Sequence, residues 1–189
     1  AYELHGDPNG EPLVLSMGIA SQMVMWPPGF LEALVAEGFF VVAYDYRDIG
    51  ESTYLDDLGV PPIGEFLLRR ATRRTVPAPY RLEDMADDVA GLMDQLGIER
   101  AHMAGVSMGG MVAQTVAIQH PRRTRTLTSF MSTTGGIRES IGQPRALANL
   151  LKPVKPGRDA VLKRYVDFYE ILAGSRYEVD EVALRERVS

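Results

Sequence analysis

The sequence contains no cysteine, so disulfide bonds, thiolate nucleophiles and cysteine-ligated metal centres are excluded from the start. Histidine is scarce as well, limited to His5, His102 and His120. Any chemistry that needs an imidazole base has three candidates and no more. Positive charge is in the minority, with 20 Lys and Arg against 25 Asp and Glu and a net charge of −5. That balance does not make the basic surface a nucleic acid requires. No apolar run approaches the 18 or more residues needed to cross a bilayer. Residues 1–7 have neither the basic start nor the apolar segment of a secretory leader. No nucleic-acid or membrane partner is expected, and the expected compartment is the cytoplasm. What remains is 46% hydrophobic and 24% charged over 189 residues, enough for one globular domain with a small appendage.

Apolar runs of strand length alternate with helical patterns, the order that builds a mostly parallel sheet with crossover helices in an α/β fold. Strands are expected at residues 12–17, 39–44, 101–106 and 126–131. The run at 39–44 is apolar at nearly every position, as a strand covered on both faces must be. A helix opening at Pro27-Pro28 carries Phe30, Leu31, Leu34 and Val35 and closes at Gly38. Residues 82–96 put Met85, Val89, Leu92, Met93 and Leu96 on one stripe, with Glu83 and Asp84 in the first turn and Gly97 past the end. A third helix runs from Gly109-Gly110 to Gln119, ahead of Pro121. Beyond the loop Thr133-Thr134-Gly135-Gly136 the pattern is helical only, over 144–151, 159–173 and 180–188. The expected division is therefore a core over 1–135 and the beginning of a helical cap over 136–189. Arg69, Arg70, Arg73 and Arg74 form the one charge cluster, read as a solvated face, with carboxylate binding as the alternative.

Gly105-Val106-Ser107-Met108-Gly109 has the form G-x-S-x-G, at the end of an expected strand and the start of an expected helix. A serine there sits on a sharp strand-to-helix turn with its Oγ exposed. The flanking residues must be small because strand and helix close on them. Acyl transfer also needs two backbone N–H groups aimed at the developing oxyanion. One belongs to the residue after the nucleophile, Met108, favoured further by its place at a helix N-terminus. The other comes from the loop after an earlier strand, where Ile19 follows Met17-Gly18.

With these residues assembled, the chain resembles the N-terminal part of an α/β-hydrolase, in the branch that includes aclacinomycin methylesterase-like serine hydrolases. The resemblance is carried by Leu15 to Gly18 with Trp26-Pro27, by Tyr44 to Ser52, by Tyr80 to Asp88 and by Ala104 to Met111. These blocks follow the family's order over about residues 2–135. It implies Ser107 as nucleophile, Ile19 and Met108 as backbone oxyanion donors, and no cofactor or metal. Many relatives have His-Gly where this chain has Met17-Gly18, and the methylesterase branch has Met-Gly. The family uses the segment after Tyr44 as a structural turn in which Arg47, Asp48 and Ser52 hold loop backbone. Trp26 has two readings, as the lining of a substrate pocket or as packing.

A serine needs a base, and the base needs an orienting carboxylate. His102 lies five residues upstream of Ser107 on the strand and His120 a helix length downstream, each roughly 16 Å away. His5 has no position directed at the elbow. In the family the acid and the histidine come from later strands, so the chain is expected to be a fragment lacking both. The open sheet edge is expected to be covered by the missing C-terminal part or by a partner. The expected function is hydrolysis of a small-molecule carboxylic ester through an acyl-enzyme. Cofactor-free haloperoxidases and iminopeptidases are alternatives within the same fold. A non-catalytic binder or an interaction module of that fold is the alternative outside enzymology.

Overall fold

The structure is a computed structural model and describes residues 1–59, 69, 72, 78–135, 146, 148–149, 157–175 and 177–187. Most of the expected helix over 144–151, together with Arg70, Arg73 and Arg74, lies outside the described residues. The chain divides into two units, Ala1–Ser132 and Thr133–Ser189.

In the first unit, mostly apolar runs form the central strands, and alternation of their side chains gives the sheet two buried faces. The strands are β1 (Tyr2–His5), β2 (Glu11–Ser16), β3 (Phe39–Tyr44), β4 (Ala101–Val106) and β5 (Thr124–Phe130), in the spatial order β1-β3-β2-β4-β5. All neighbours are parallel except β1, which runs antiparallel to β3. Val14, Val42 and Met103 point to one face. There they meet Met85, Val89 and Met93 of α2 (Leu82–Gln95) and Val112, Ala113 and Val116 of α3 (Met108–Gln119). Leu13, Leu15 and Val41 are buried on the opposite face. On the β1 and β3 side α1 (Pro28–Ala36) packs against the sheet.

The helix ends follow from their residues. Pro28 opens α1, where its missing N–H is no loss. Asp84 accepts the Arg81 N–H at 2.7 Å at the start of α2. Gly38 and Gly97 lie just past α1 and α2 at φ +88 and +68, a region open to glycine but costly for a side chain.

The strand β1 has no counterpart among the expected elements. It is a four-residue edge strand whose Tyr2 and Leu4 are exposed, so no buried run announced it. The expected strand at 126–131 begins earlier, at Thr124, and ends at Phe130 because Met131 turns to φ +45. From Arg125 to Phe130 this strand is exposed, and its outer edge has no neighbouring strand among the described residues.

The second unit contains α4 (Arg158–Ala173) and α5 (Glu181–Arg187), which pack on each other. Leu162, Val166 and Leu184 are their buried residues. Among the described residues no helix is long and apolar enough to cross a membrane.

Candidate active site

Ser107 connects β4 directly to α3, and its backbone stands at φ +55, ψ −118. A non-glycine residue in that region costs on the order of 1–3 kcal/mol and persists only where its surroundings hold it. Here the holding is explicit. The Ser107 N–H donates to the Phe130 carbonyl of β5 at 2.9 Å. Its own carbonyl accepts from Gly110 N–H at 3.0 Å, Met111 N–H at 3.3 Å and the Ser132 hydroxyl at 2.7 Å. The flanking glycines are spatially required. A Cβ on Gly105 would collide with the Gly109 carbonyl, and one on Gly109 with the carbonyls of Ser16 and Met17. The start of α3 thus rests on the end of β2 with only hydrogen between them.

That contact brings the loop after β2 against the elbow. A Cβ placed on Gly18 would touch the Ser107 Cβ at 3.7 Å. Residues Gly18 to Ser21 form a turn closed by a 3.3 Å bond from Ser21 N–H to the Gly18 carbonyl, with Ala20 at φ +54. Ile19 occupies the second position, whose N–H such a turn leaves without an internal acceptor. Met108 is the first residue of α3, where a helix likewise leaves the N–H unused. Sequence reasoning brought Ser107, Ile19 and Met108 together, and the structure sets all three at the carboxyl ends of β2 and β4.

The structure places the histidines elsewhere. His102 bonds Thr126 Oγ1 at 2.7 Å and lies 3.8 Å from Glu11, towards the amino ends of the strands. His120 caps the far end of α3 and bonds Asp87 of α2 at 2.8 Å. His5 lies 3.4 Å from Glu3 on β1. Among the described residues, no group of three or more His, Asp or Glu could hold a metal ion.

Asp45 and Arg47, two residues apart at the exit of β3, take separate partners. Asp45 is buried, accepts the Met23 N–H at 2.6 Å and fills the space a Gly50 side chain would need. Arg47 turns outward to a two-point bond with Asp88 of α2, both contacts at 2.7 Å, and lies over the Tyr80 ring. Its expected role in holding loop backbone is therefore corrected: the guanidinium holds α2, through the Asp88 carboxylate that its fork fits and the Asp84 carbonyl at 3.3 Å. Asp48 and Ser52 do hold backbone, at Leu55 N–H and the Asp45 carbonyl. Trp26 stacks on Phe30 at 5.4 Å and lines, with His5 and Leu31, a cavity of about 360 Å³ beside α1 that does not include Ser107. Of its two readings, this placement favours packing over the lining of a pocket at Ser107.

Sequence reasoning missed three contributors to the site. Phe130 at the end of β5 and Ser132 just beyond it act on the Ser107 backbone, and a serine after a strand carries no distinguishing signal. The hydroxyls of Ser16, Tyr44 and Tyr46 form a buried group under the loop after β2. Two tyrosines spaced by two residues at a strand end were the available clue, since they share a face.

The family model of the α/β-hydrolase fold matches residues 11–167. The chain belongs to that family. A rhodomycin D methylesterase, DnrP, of Streptomyces peucetius is 31% identical over 183 residues, which cover 97% of this chain and 54% of the relative. A second, DauP, of Streptomyces sp. strain C5 is 30% identical over 186 residues with the same coverage. Among solved structures, 2-hydroxy-6-oxo-6-phenylhexa-2,4-dienoate hydrolase of Rhodococcus sp. strain RHA1 matches with a TM-score of 0.68 at 22% identity. That match covers 99% of this chain and 60% of the other, and it is a likeness of fold. The chain spans about half the length of the curated relatives it matches.

Proposed function

We propose that the chain carries the nucleophile half of a serine hydrolase that cleaves a small-molecule carboxylic ester through an acyl-enzyme. The observation that carries this reading is the strained Ser107 at the β4–α3 junction, with the Gly18 loop in contact beside it. Ser107 Oγ attacks the ester carbonyl, and the N–H groups of Ile19 and Met108 receive the oxyanion. Collapse of the tetrahedral intermediate expels the alcohol and leaves an acyl-serine, which water then hydrolyses. A histidine base and its carboxylate are supplied by polypeptide outside this chain, since His5, His102 and His120 are engaged elsewhere. The second unit is the beginning of the cap, and the outer edge of β5, which has no neighbouring strand among the described residues, is where the rest of the sheet or a partner docks. The kinship with the rhodomycin D methylesterases supports an ester over an amide. No cofactor enters this chemistry.

The test uses the intact protein with a fluorophosphonate probe and short-chain p-nitrophenyl esters. Labelling and turnover are expected in the wild type. Both should fall by at least about a thousandfold in Ser107→Ala, the scale on which triad nucleophiles act. An inert wild type, or a Ser107→Ala variant that still labels, would sink the hydrolase reading.

A further inference from the structure

The loop that carries Ile19 is gripped on both sides by consecutive residues from the exit of β3. Before the turn, the Tyr46 hydroxyl donates to the Met17 carbonyl at 3.0 Å. After it, the Asp45 carboxylate accepts the Met23 N–H at 2.6 Å. Both side chains are buried, at 3% and 8% exposure, so each bond forms away from competing water. Tyr44 backs them. Its ring meets that of Tyr46 edge-on at 5.2 Å, and its hydroxyl shares a 2.9 Å bond with Ser16 at the end of β2. Burial pushes the Tyr46 phenol up to about 12 and Tyr44 well above its ordinary value. Tyr46 therefore keeps the proton it gives to Met17.

Within the turn, Ser21 bonds back to the Gly18 carbonyl through its N–H at 3.3 Å and to the Ile19 carbonyl through its hydroxyl at 3.4 Å. Gly18 has no side chain, Ile19 is 51% exposed, and Ala20 is in the left-handed region where alanine is strained. A backbone donor contributes to catalysis only when it is aimed before the charge develops. We infer that Tyr46 and Asp45 are positioning residues that hold the Gly18–Ser21 turn with the Ile19 N–H directed at the oxyanion formed on attack by Ser107. This rests on the serine-hydrolase reading and adds to it the side chains that set the donor. Neither residue touches substrate. They act through Met17 and Met23.

The measurements are kcat, KM and the fluorophosphonate labelling rate, in the intact protein, below the thermal midpoint of every variant. Tyr46→Phe keeps the ring and removes one hydroxyl. It should lower kcat and the labelling rate together by about tenfold with KM within about twofold, because a misaimed donor weakens the transition state and not the ground state. Asp45→Asn, which retains an acceptor oxygen for Met23, should lose less than Asp45→Ala. Tyr46→Phe with wild-type kcat and labelling would overturn the proposal. So would a change confined to KM, or Asp45→Asn losing as much as Asp45→Ala. Should Asp45→Ala fail to fold, Tyr46→Phe alone decides. Failure of the underlying reading looks different: wild type inert, or Ser107→Ala active, whatever Tyr46→Phe does.

Discussion

The two ends of the parallel sheet are built from different materials. At the carboxyl end the important groups are backbone: the Ser107 elbow, the Gly18–Ser21 turn and the first turn of α3, held by neutral hydroxyls from Tyr46 and Ser132 and by the buried Asp45. At the amino end the groups are half-exposed charges and imidazoles: Glu11 with Arg125, His102 with Thr126, and His120 with Asp87. One end fixes strained geometry by close contact. The other ties elements together with pairs that water can replace. Fixed dipoles in a tightly packed setting stabilise developing charge, whereas surface pairs spend much of their energy against solvent. On the proposed reading, that contrast is how a histidine-poor chain would carry a nucleophile half without a base of its own. Its histidines belong to the amino end, away from Ser107.

The sharpest way to break the comparison is to insert a methyl group at the carboxyl end. Gly109→Ala drives a Cβ into the carbonyls of Ser16 and Met17, and backbone on both sides leaves no flexible side chain to yield. We expect a loss of at least about 3 kcal/mol, the upper range for forced overpacking. Labelling of Ser107 should fall with it, because α3 and the loop after β2 must separate. Chemical denaturation and probe labelling check this together. A Gly109→Ala protein of wild-type stability would show that the end tolerates movement.

Much of this organisation is visible in the residues themselves. Strands β2, β3 and β4 are legible because parallel strands buried on both faces need continuous apolar runs. The elbow is legible because its steric demands require small residues at fixed spacing, and Gly105 and Gly109 meet them. The short β1 is hidden, since an edge strand with Tyr2 and Leu4 exposed has no burial pattern to leave. The grips at Met17 and Met23 are hidden for another reason. They join side chains to backbone carbonyls and N–H groups, which every residue carries, so no partner residue type marks them. Asp45 and Arg47 illustrate the same limit: two charges two residues apart on the strand exit point to different elements.

A gentler test of the carboxyl end uses pH. The folded protein holds the Tyr46 proton up to about 12, above the value near 10 for an unfolded tyrosine. Burial raises the value by penalising the phenolate, so the stability held by the buried neutral phenol is complete below pH 10 and is lost as pH climbs through the folded value. The stability difference between wild type and Tyr46→Phe should therefore stay constant from neutral pH to about pH 10. It should then shift against wild type by about 2 kcal/mol towards pH 12. Denaturant titrations of both proteins at pH 8 and near pH 12 measure it. A difference that does not move with pH would mean that Tyr46 is hydrated.

The amino end should answer far more weakly, and the His120–Asp87 bond is the cleanest place to ask. It joins the end of α3 to α2, spans 33 residues of sequence and at 2.8 Å has good geometry. Yet His120 is 28% and Asp87 65% exposed, so either group finds water when the other is removed. The helices it bridges are already held by Met85, Val89, Val112 and Val116 in the shared core. His120→Gln and Asp87→Asn should each cost no more than about 0.5 kcal/mol near neutral pH. The double variant should cost about the same as one single variant, because each removes the same bond. Ser107 labelling should be unchanged in all three, since the bond lies a full helix length from the elbow. A labelling defect in His120→Gln, with stability intact, would connect the two ends of the sheet and end the division of labour drawn between them.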